Sequence, residues 1–155
     1  MAELISRENQ AAVSDGFWLL RADGASLGNP GSGGAGAVIY DDQGRVAAEI
    51  SQPLGPMVTN NEAEYQALLL GLDRLRGLGI GKVRIRLDSE LVVRQIKGEY
   101  KVKNPRLAVL FRQALDLLAG FETYDIAHVR REQNRAADAL ASAAAASGRL
   151  DPEGD

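Results

Sequence analysis

The stretch TNNEAEYQALLLGLDRLRGLG, residues 59–79, has the pattern of a capped amphipathic helix that carries one acidic residue on its apolar face. We expect Asn60 or Asn61 to be the N-cap and Gly79 to end the helix. Helical spacing places a single carboxylate in the apolar stripe, which consists of Glu64, Ala67, Leu68, Gly71, Leu72 and Leu75. A carboxylate buried alone is costly, so Glu64 requires a cation or a metal ion nearby.

The composition is that of one globular domain with a substantial core. The chain has 155 residues, of which 45% are hydrophobic and 25% charged. Cysteine is absent, which excludes disulfides, thiolate nucleophiles and zinc–thiolate sites. No segment approaches the roughly 20 apolar residues of a membrane span, and the N-terminus lacks a signal-peptide core. We therefore expect a cytoplasmic protein without a membrane partner and without an obligate protein partner.

The charge is unevenly distributed along the chain. The net charge is −3, yet residues 82–112 contain nine Lys or Arg against three acidic residues, while both ends are acidic. Such a run is usually a solvated face, and a surface that follows phosphates is the alternative. Charge alone favours the solvated face.

Hydrophobic periodicity predicts an α/β domain with the order βββαβααβα, in which a five-stranded mixed sheet is flanked by helices. The predicted strands are residues 17–22, 35–40, 45–51, 82–87 and 121–129. Further helices are predicted at residues 89–98, 106–119 and 134–148, with Ser89 and Asn134 as caps of the first and last.

The segments between these elements predict the domain limits. Residues 23–36 hold six glycines and a proline, which indicates a turn or a backbone that passes close to another group. SQPLGPMVT, residues 51–59, is predicted to be a connector. Residues 1–15 are predicted to be a loose leader, residues 16–148 the domain, and residues 149–155 a frayed tail.

Four carboxylates are placed where they can converge. Asp23 and Asp88 follow predicted strands, Glu64 lies near a helix start, and Asp138 lies in the first turn of the last helix. Oxygen ligands without His or Cys suit Mg²⁺ or Mn²⁺, and two such ions about 4 Å apart are the usual arrangement for phosphodiester cleavage. From spacing alone, helix caps and turn residues remain the more common explanation of such acids.

Four blocks in series carry a resemblance that covers residues 17 to about 147. They are DGASLGNPGSGGAGAVI, TNNEAEYQALL, LDSELVVRQI and HVRREQNRAADALA. In order and approximate spacing, the chain resembles the type 1 ribonuclease H family, and in particular its compact bacterial and archaeal branch. Each block alone is a weak signal, whereas the four together are highly specific.

The resemblance implies an endoribonuclease that cuts the RNA strand of RNA–DNA hybrids and leaves a 5′-phosphate and a 3′-hydroxyl. It implies two Mg²⁺ ions, for which Mn²⁺ can substitute, held by Asp23, Glu64, Asp88 and Asp138. Asp23 would bridge both ions, Asp138 would lie on the side of the attacking water, and the other two on the leaving-group side. The TNNxxE spacing of the family selects Glu64 over its neighbour Glu62.

The resemblance also implies a set of substrate contacts. Asn29 and Thr59 match residues that hold a DNA-strand phosphate, while Asn60 and Asn61 match residues that contact the minor groove and the ribose 2′-hydroxyls. The remaining predicted contacts follow or precede catalytic acids, and they are Gly24, Ser89 and Asn134.

Three features depart from the family pattern. Glu90 stands where many relatives have Gln, which puts one RNA contact in doubt. The long basic handle of some members is missing, and Lys97, Lys101, Lys103 and Arg106 are expected to replace it only in part, with weaker hybrid binding or tolerance of other RNA-containing duplexes. His128, the only histidine, is predicted to be a structural residue at the end of the last strand rather than a mobile group of the site.

Two other functions are compatible with the same motifs. One is a catalytically silent module that binds hybrids or duplexes, against which the complete set of four acids argues. The other is a different nuclease of the superfamily, such as an exonuclease or an integrase, against which the TNNEAEY block and the glycine-rich segment argue. The ranking of hybrid, double-stranded RNA and single-ribonucleotide junction as substrates, the preferred metal and the oligomeric state stay open.

Overall fold

The structure, a computed structural model, describes residues 15–150. The predicted leader and tail therefore fall almost entirely outside the described residues. The last helix continues to Leu150, two residues beyond its predicted end at Gly148. No helix among residues 15–150 is long and apolar enough to cross a membrane.

The order of elements agrees with the prediction. The strands are β1 (Trp18–Leu27), β2 (Gly31–Tyr40), β3 (Val46–Val58), β4 (Lys82–Leu87) and β5 (Thr123–His128). The α-helices are α1 (Asn60–Gly77), α2 (Glu90–Ile96), α3 (Pro105–Leu118) and α4 (Arg135–Leu150), and a short 3₁₀ helix spans Arg131–Gln133. The sheet order is β3-β2-β1-β4-β5, antiparallel from β3 to β1 and parallel from β1 to β5, which confirms the predicted five-stranded mixed sheet.

The first three strands are longer than predicted. β1 continues through Asp23 to Leu27, β2 begins at Gly31, and β3 includes most of the segment that was predicted to be a connector. Of the two alternatives for residues 23–36, a turn is found only at residues 28–30, because most of these glycines pair in the β1–β2 ladder. The alternative of a backbone that passes close to another group is confirmed at Gly24, Gly34 and Gly36. Asp23 lies within a strand, opposite Gly36, and not at a strand end.

Asp23 and Asp88 nevertheless lie at the same edge of the sheet. The parallel pairing of β1 with β4 ends at Ala22 and Leu87, so each aspartate is the next residue along its chain. β1 continues from there with β2 alone. The two carboxylates are thus brought together where the parallel part of the sheet ends, as is usual for sites in α/β folds.

Helix α4 lies directly on β2 because two strand residues have no side chain. A Cβ atom on Gly34 would be 2.2 Å from the carbonyl oxygen of Ala141, and one on Gly36 would be 2.2 Å from that of Ala137. Both alanines are fully buried against this part of the sheet. Glycine is required at these strand positions because the helix backbone occupies the space of the missing side chains.

Helix α1 covers the opposite face of the sheet, and α3 packs against α1. Leu68, Leu72 and Leu75 of α1 are fully buried and belong to one core cluster with Leu20 of β1 and Ile85 of β4. Burial of these side chains, each contributing about 1.5–3 kcal/mol, holds α1 in place over the sheet.

The N-cap predicted at Asn60 or Asn61 lies one or two residues earlier in the structure. Thr59 is the N-cap: its hydroxyl accepts a hydrogen bond from the Glu62 amide at 3.1 Å, and the Glu62 carboxylate accepts one from the Thr59 amide at 2.9 Å. This reciprocal pair is a capping box. The C-terminal end agrees with the prediction, since Gly79 adopts a φ of 75° directly after the C-cap residue Leu78.

Candidate active site

Three of the four predicted acids form one compact cluster. Asp23, Glu64 and Asp88 each present a carboxylate oxygen, and the three oxygens lie within 4.8 Å of one another. Asp23 is buried, while the other two are partly exposed. The cluster is therefore accessible to solvent on one side.

Gly24 allows Glu64 to reach the strand that carries Asp23. The Gly24 amide donates hydrogen bonds to Glu64 Oε1 at 3.0 Å and to Asp23 Oδ1 at 2.9 Å. A Cβ atom at this position would lie 2.2 Å from the backbone of Ala63. Only glycine lets the first turn of α1 approach β1 this closely. The predicted substrate contact of Gly24 stays a prediction.

Asp138 lies beside Asp23 but outside the three-residue cluster. Its carboxylate is within hydrogen-bonding reach of Asp23, and it helps to raise the pKa of that residue. Asp138 is held there by the first turn of α4, where its amide donates to the Asn134 carbonyl at 3.0 Å. The four predicted acids thus converge as a triad with one flanking member.

Asn134 links β1, β4 and α4 beneath the acids. Its buried Nδ2 donates to the carbonyl oxygen of Ala22 at 2.9 Å and to Asp88 Oδ2 at 3.4 Å. Asn134 directly precedes α4, as predicted for its cap, and its carbonyl accepts the Asp138 amide, but its Oδ1 has no hydrogen-bond partner, so the side chain does not cap the helix. The amide instead orients the Asp88 carboxylate, which explains why a polar side chain is buried here.

The cluster is electrostatically strained without a cation. Burial, together with the charges of Glu64 and Asp88, raises the pKa of Asp23 well above its ordinary range. Burial and the charge of Asp88 raise the pKa of Glu64 to about 7, although hydrogen bonds with Asp23 and with the Gly24 amide, and to a smaller extent the charge of Arg131, oppose this shift. Neighbouring carboxylates that cannot all ionise in a desolvated site are typical of functional sites.

A buried carboxylate oxygen without a hydrogen-bond donor indicates which kind of ligand the cluster can bind. Asp23 Oδ2 is buried and has no hydrogen-bond donor, because the groups around it are themselves carboxylates. An oxygen-rich, negatively charged donor set of this kind suits a hard divalent cation such as Mg²⁺ or Mn²⁺. Asp23, Glu64 and Asp88 are the residues that fit such an ion.

Glu62, the rival of Glu64 in the sequence motif, is not part of the cluster. Its carboxylate accepts the Thr59 amide in the capping box and lies 3.7 Å from the guanidinium of Arg106. Glu62 therefore serves the helix cap and does not contact the acidic cluster. The choice of Glu64 by helical spacing therefore agrees with the structure.

Several predicted substrate residues have structural contacts at the same edge. Asn29 Oδ1 accepts a hydrogen bond from the Asn60 amide at 2.9 Å, which ties the β1–β2 turn to the start of α1. Thr59 is occupied by the helix cap, and Ser89 caps α2 by accepting from the Val92 amide at 3.3 Å. Asn60 is exposed and Asn61 partly so. Their predicted contacts with nucleic acid stay predictions.

The basic run is partly neutralised within the fold. Arg84 pairs with Asp15, Arg86 with Asp125 at 2.9 Å, and Arg94 with Glu90 at 2.8 Å. The solvated or structural explanation therefore holds for these arginines. It also shows that Glu90, the departure from the family pattern, is engaged by a cation one turn further along α2.

The exposed lysines lie on a loop that is anchored to the helices. Gln95 is buried, accepts a hydrogen bond from the Tyr65 hydroxyl at 2.6 Å, and donates to the Lys101 carbonyl at 3.4 Å. The exposed basic segment from Lys97 to Lys103 is thus connected to Tyr65, the neighbour of Glu64 on α1.

His128 is the last residue of β5, as predicted, and pairs with Leu87 immediately before Asp88. Its side chain is exposed, so its structural role stays a prediction. Sequence reasoning missed Arg131, whose charge acts on Glu64, although the Arg130–Arg131 pair in the last block was a visible signal. It also missed Arg21, a buried side chain that donates to the Gln133 carbonyl at 2.9 Å and holds the turn before α4.

Solved structures with the same fold define the class of protein. Ribonuclease H1 of the halophilic archaeon Halobacterium salinarum superposes with a TM-score of 0.82 at 38% identity, over 85% of this chain and 99% of that one. LC11-RNase H1, solved in complex with an RNA/DNA hybrid, superposes with a TM-score of 0.80 at 36% identity, over 85% of this chain and 99% of that one. The chain has a ribonuclease H fold, as the four sequence blocks implied.

The model of the reverse transcriptase-like family matches residues 21–144, which include all four acids, and the chain belongs to this family. A bifunctional protein of Mycobacterium tuberculosis is 43% identical over 125 residues, which cover 80% of this chain and 34% of that protein. The chain thus spans about a third of the length of the first curated relatives that it matches.

Proposed function

We propose that this protein is a divalent-metal-dependent endoribonuclease that hydrolyses the RNA strand of RNA–DNA hybrids. The observation that carries the proposal is the cluster of Asp23, Glu64 and Asp88, whose oxygens lie within 4.8 Å and include a buried one without a donor. Relatives named as ribonucleases H, one of them solved with an RNA/DNA hybrid, support the choice of substrate.

Two Mg²⁺ ions are proposed as the cofactor, with Mn²⁺ as a possible substitute. Asp23, Glu64 and Asp88 would hold one ion, and Asp23 with the adjacent Asp138 would hold the other. When bound, such ions activate the attacking water and stabilise the charge that develops on the leaving oxygen. In the proposed hydrolysis the water oxygen joins phosphorus and the P–O3′ bond breaks, which leaves a 5′-phosphate and a 3′-hydroxyl.

The side chains around the acids are proposed to prepare the site for this reaction. The Gly24 amide holds Glu64 and Asp23 in one orientation, and Asn134 does the same for Asp88. Because these donors are set by the fold, the carboxylates need little rearrangement when the cation and the substrate bind. Asn29, Thr59, Asn60 and Asn61, at the adjoining edge, are proposed to contact the hybrid.

A cleavage assay with an Asp23→Asn variant tests the proposal. In Mg²⁺, the wild-type protein should cut a labelled RNA–DNA hybrid, whereas the variant should lose at least about 10³-fold in rate, because Asp23 is the ligand shared by both ions. Asp42→Asn, on the half-buried turn between β2 and β3, is the matched control and should leave the rate unchanged.

The same assay separates the proposal from a silent binding module. Hybrid, double-stranded RNA and a single-ribonucleotide junction are incubated side by side with Mg²⁺ and with Mn²⁺, and hybrid binding is measured in parallel. Hybrid binding without cleavage by the wild-type protein would support the silent module. Undiminished cleavage by the Asp23→Asn variant would contradict the assignment of the site.

A further inference from the structure

A buried pair of polar side chains connects α1 with α2 and is not part of the acidic cluster. Tyr65 is fully buried, and Gln95 is 4% exposed. The Tyr65 hydroxyl donates a hydrogen bond to Gln95 Oε1 at 2.6 Å. Tyr65 belongs to the apolar core cluster, as do Val92 and Ile96 of α2. An apolar pair of the same size would fill this space without needing hydrogen bonds, so the polar pair requires another explanation.

The Gln95 amide extends this connection to the loop between α2 and α3. Its Nε2 donates to the Lys101 carbonyl at 3.4 Å. On one side of this contact, the Tyr100 amide donates to the Arg94 carbonyl at 3.2 Å, and on the other side Val102 packs against the core. The Gln95 side chain therefore fixes the backbone of the loop between these two attachments.

The basic loop, Lys97–Lys103, presents positive charges that the fold does not neutralise. All three of its lysines are exposed, and they are Lys97, Lys101 and Lys103. None of the three has an ion pair with another residue of the segment 15–150. The acid of this loop, Glu99, pairs with Arg94 at 3.1 Å. Ammonium groups without a partner on one short loop form a surface that suits phosphate groups.

We infer that Tyr65 and Gln95 are positioning residues for nucleic-acid binding, which hold the basic loop at a fixed place relative to the acidic cluster. Tyr65 directly follows Glu64, so the turn of α1 that presents Glu64 to the cluster also holds the loop through Gln95. A loop that is fixed in advance binds phosphates more tightly than a free one, because less conformational entropy is lost on binding. The inference rests on the proposed function, since it takes the RNA–DNA hybrid as the ligand.

The double variant Tyr65→Phe/Gln95→Met removes both hydrogen bonds and leaves neither side chain with a buried polar group that lacks a partner. It should therefore fold, and thermal unfolding checks this. Tyr124→Phe/Gln113→Met is the matched control, because it makes the same two changes at exposed positions. Hydrogen exchange measures the anchoring directly: the amides of the basic loop should exchange at least about tenfold faster in the double variant and at the wild-type rate in the control.

Hybrid binding in chelator, which withholds the metal ions, measures the consequence for the ligand. The dissociation constant of the double variant should rise at least about fivefold, because the loop must now be ordered on binding. The slope of log K against log salt should become shallower by about one to two, since fewer phosphates are neutralised. In Mg²⁺, KM should rise by a similar factor while kcat stays within about twofold, because the acidic cluster is unchanged. A role in stability alone would leave the salt slope at its wild-type value.

Removal of two lysine charges shows whether the buried pair acts through the loop. Lys101→Gln/Lys103→Gln should weaken hybrid binding at least about fivefold in the wild-type background, but less than about twofold in the double variant. Equal effects in both backgrounds, or a double variant that binds the hybrid as tightly as wild type, would overturn the inference. Hybrid binding by the wild-type protein without cleavage would contradict the proposed activity and leave this inference standing. Absence of hybrid binding by the wild-type protein would overturn both.

Discussion

At the scale of single residues, two neighbouring glutamates have different roles, because only one of them belongs to the acidic cluster. Glu62 and Glu64 stand two residues apart in the first turn of α1. Glu62 closes a capping box at the surface, whereas Glu64 is turned toward β1 and is held by the Gly24 amide. Burial and the charge of Asp88 raise the pKa of Glu64 to about 7, which marks it as the residue that needs a cation.

This contrast predicts opposite results for the same chemical change. Glu64→Gln should reduce hybrid cleavage by at least about 10²-fold, because it removes a charged oxygen from the cluster. Glu62→Gln should stay within about threefold of wild type, since Gln serves the capping box as Glu does. Single-turnover cleavage rates of the two variants, at equal protein and Mg²⁺ concentrations, make the comparison.

Comparison of Glu62→Gln with Glu64→Gln also controls for effects of the substitution on the stability of α1. Both remove one negative charge from the first turn of α1, so both should change the unfolding free energy by less than about 1 kcal/mol through the helix dipole. Equal loss of activity in the two variants would mean that Glu64 contributes no more to cleavage than Glu62 does. The assignment of the cluster as the active site would then be wrong.

The roles of single residues could be predicted where they depend on local helical spacing, but not where they depend on contacts between residues that are distant in the sequence. Glu64 could be selected because helical spacing alone puts it on the apolar face of α1. The side chain of Asn134 could not be placed, because its partners Ala22 and Asp88 are 112 and 46 residues away. The contact of Arg21 with the Gln133 carbonyl was missed for the same reason, because it also depends on tertiary structure.

At the scale of elements, the glycines of β2 decide how closely α4 approaches the sheet. Gly36 pairs with Asp23 in the β1–β2 ladder and lies under the backbone of α4, close to Ala137, the residue before Asp138. One position therefore sets the distance between the strand that carries Asp23 and the helix that carries Asp138.

Gly36→Ala should destabilise the protein by on the order of 3 kcal/mol, because the added methyl group would meet helix backbone at 2.2 Å and α4 must move. The displacement of Asp138 should also lower cleavage by the variant that remains folded. Gly77→Ala, at the end of α1 with no atom within 4 Å of the new Cβ, is the matched control. It should be neutral or stabilising by up to about 1 kcal/mol.

Urea unfolding of the two variants measures this difference. A Gly36→Ala protein as stable as the Gly77→Ala protein would show that the contact between β2 and α4 is not as close as described.

The same glycines explain why the first strands were predicted too short. Six glycines in residues 23–36 are typical of a turn, and sequence shows neither that β2 continues through them nor that a helix more than 100 residues away lies on top. The helices were predicted to within a few residues, because caps such as Ser89 and the apolar spacing are local signals. The order of elements indicated a mixed sheet, which is why this feature was predicted correctly, whereas the strand order within the sheet was not predicted.

At the scale of the whole molecule, the acidic cluster lowers the free energy of unfolding of the metal-free protein, and the apolar core offsets this loss. Asp23 and Glu64 lose hydration on folding and repel their neighbours, which raises both pKa values above those of an unfolded chain. The core formed by α1, α3 and the sheet must supply the stability that the site removes. Such opposition between stability and function is common at sites that bind metal ions.

The cluster predicts how stability depends on pH and on metal. Because the folded state binds protons at these carboxylates more tightly than the unfolded state, the metal-free protein should lose stability as the pH rises from about 4.5 through about 7, the interval of the Glu64 shift. Asp23→Asn should flatten this decline and stabilise the metal-free protein by about 0.5–2 kcal/mol at pH 8.

Mg²⁺ should restore stability to the wild-type protein and to the Asp42→Asn control, but not to the Asp23→Asn variant. A cation that binds only the folded state stabilises it by about 2.7 kcal/mol at a concentration one hundred times its dissociation constant. Urea unfolding at pH 5 and pH 8, in chelator and in saturating Mg²⁺, compares wild type with Asp23→Asn and with the Asp42→Asn control. A decline of stability with pH that is equally steep in all three proteins would show that these carboxylates do not destabilise the folded state. A Mg²⁺ effect of the same size on the Asp23→Asn variant would show that they do not bind the ion.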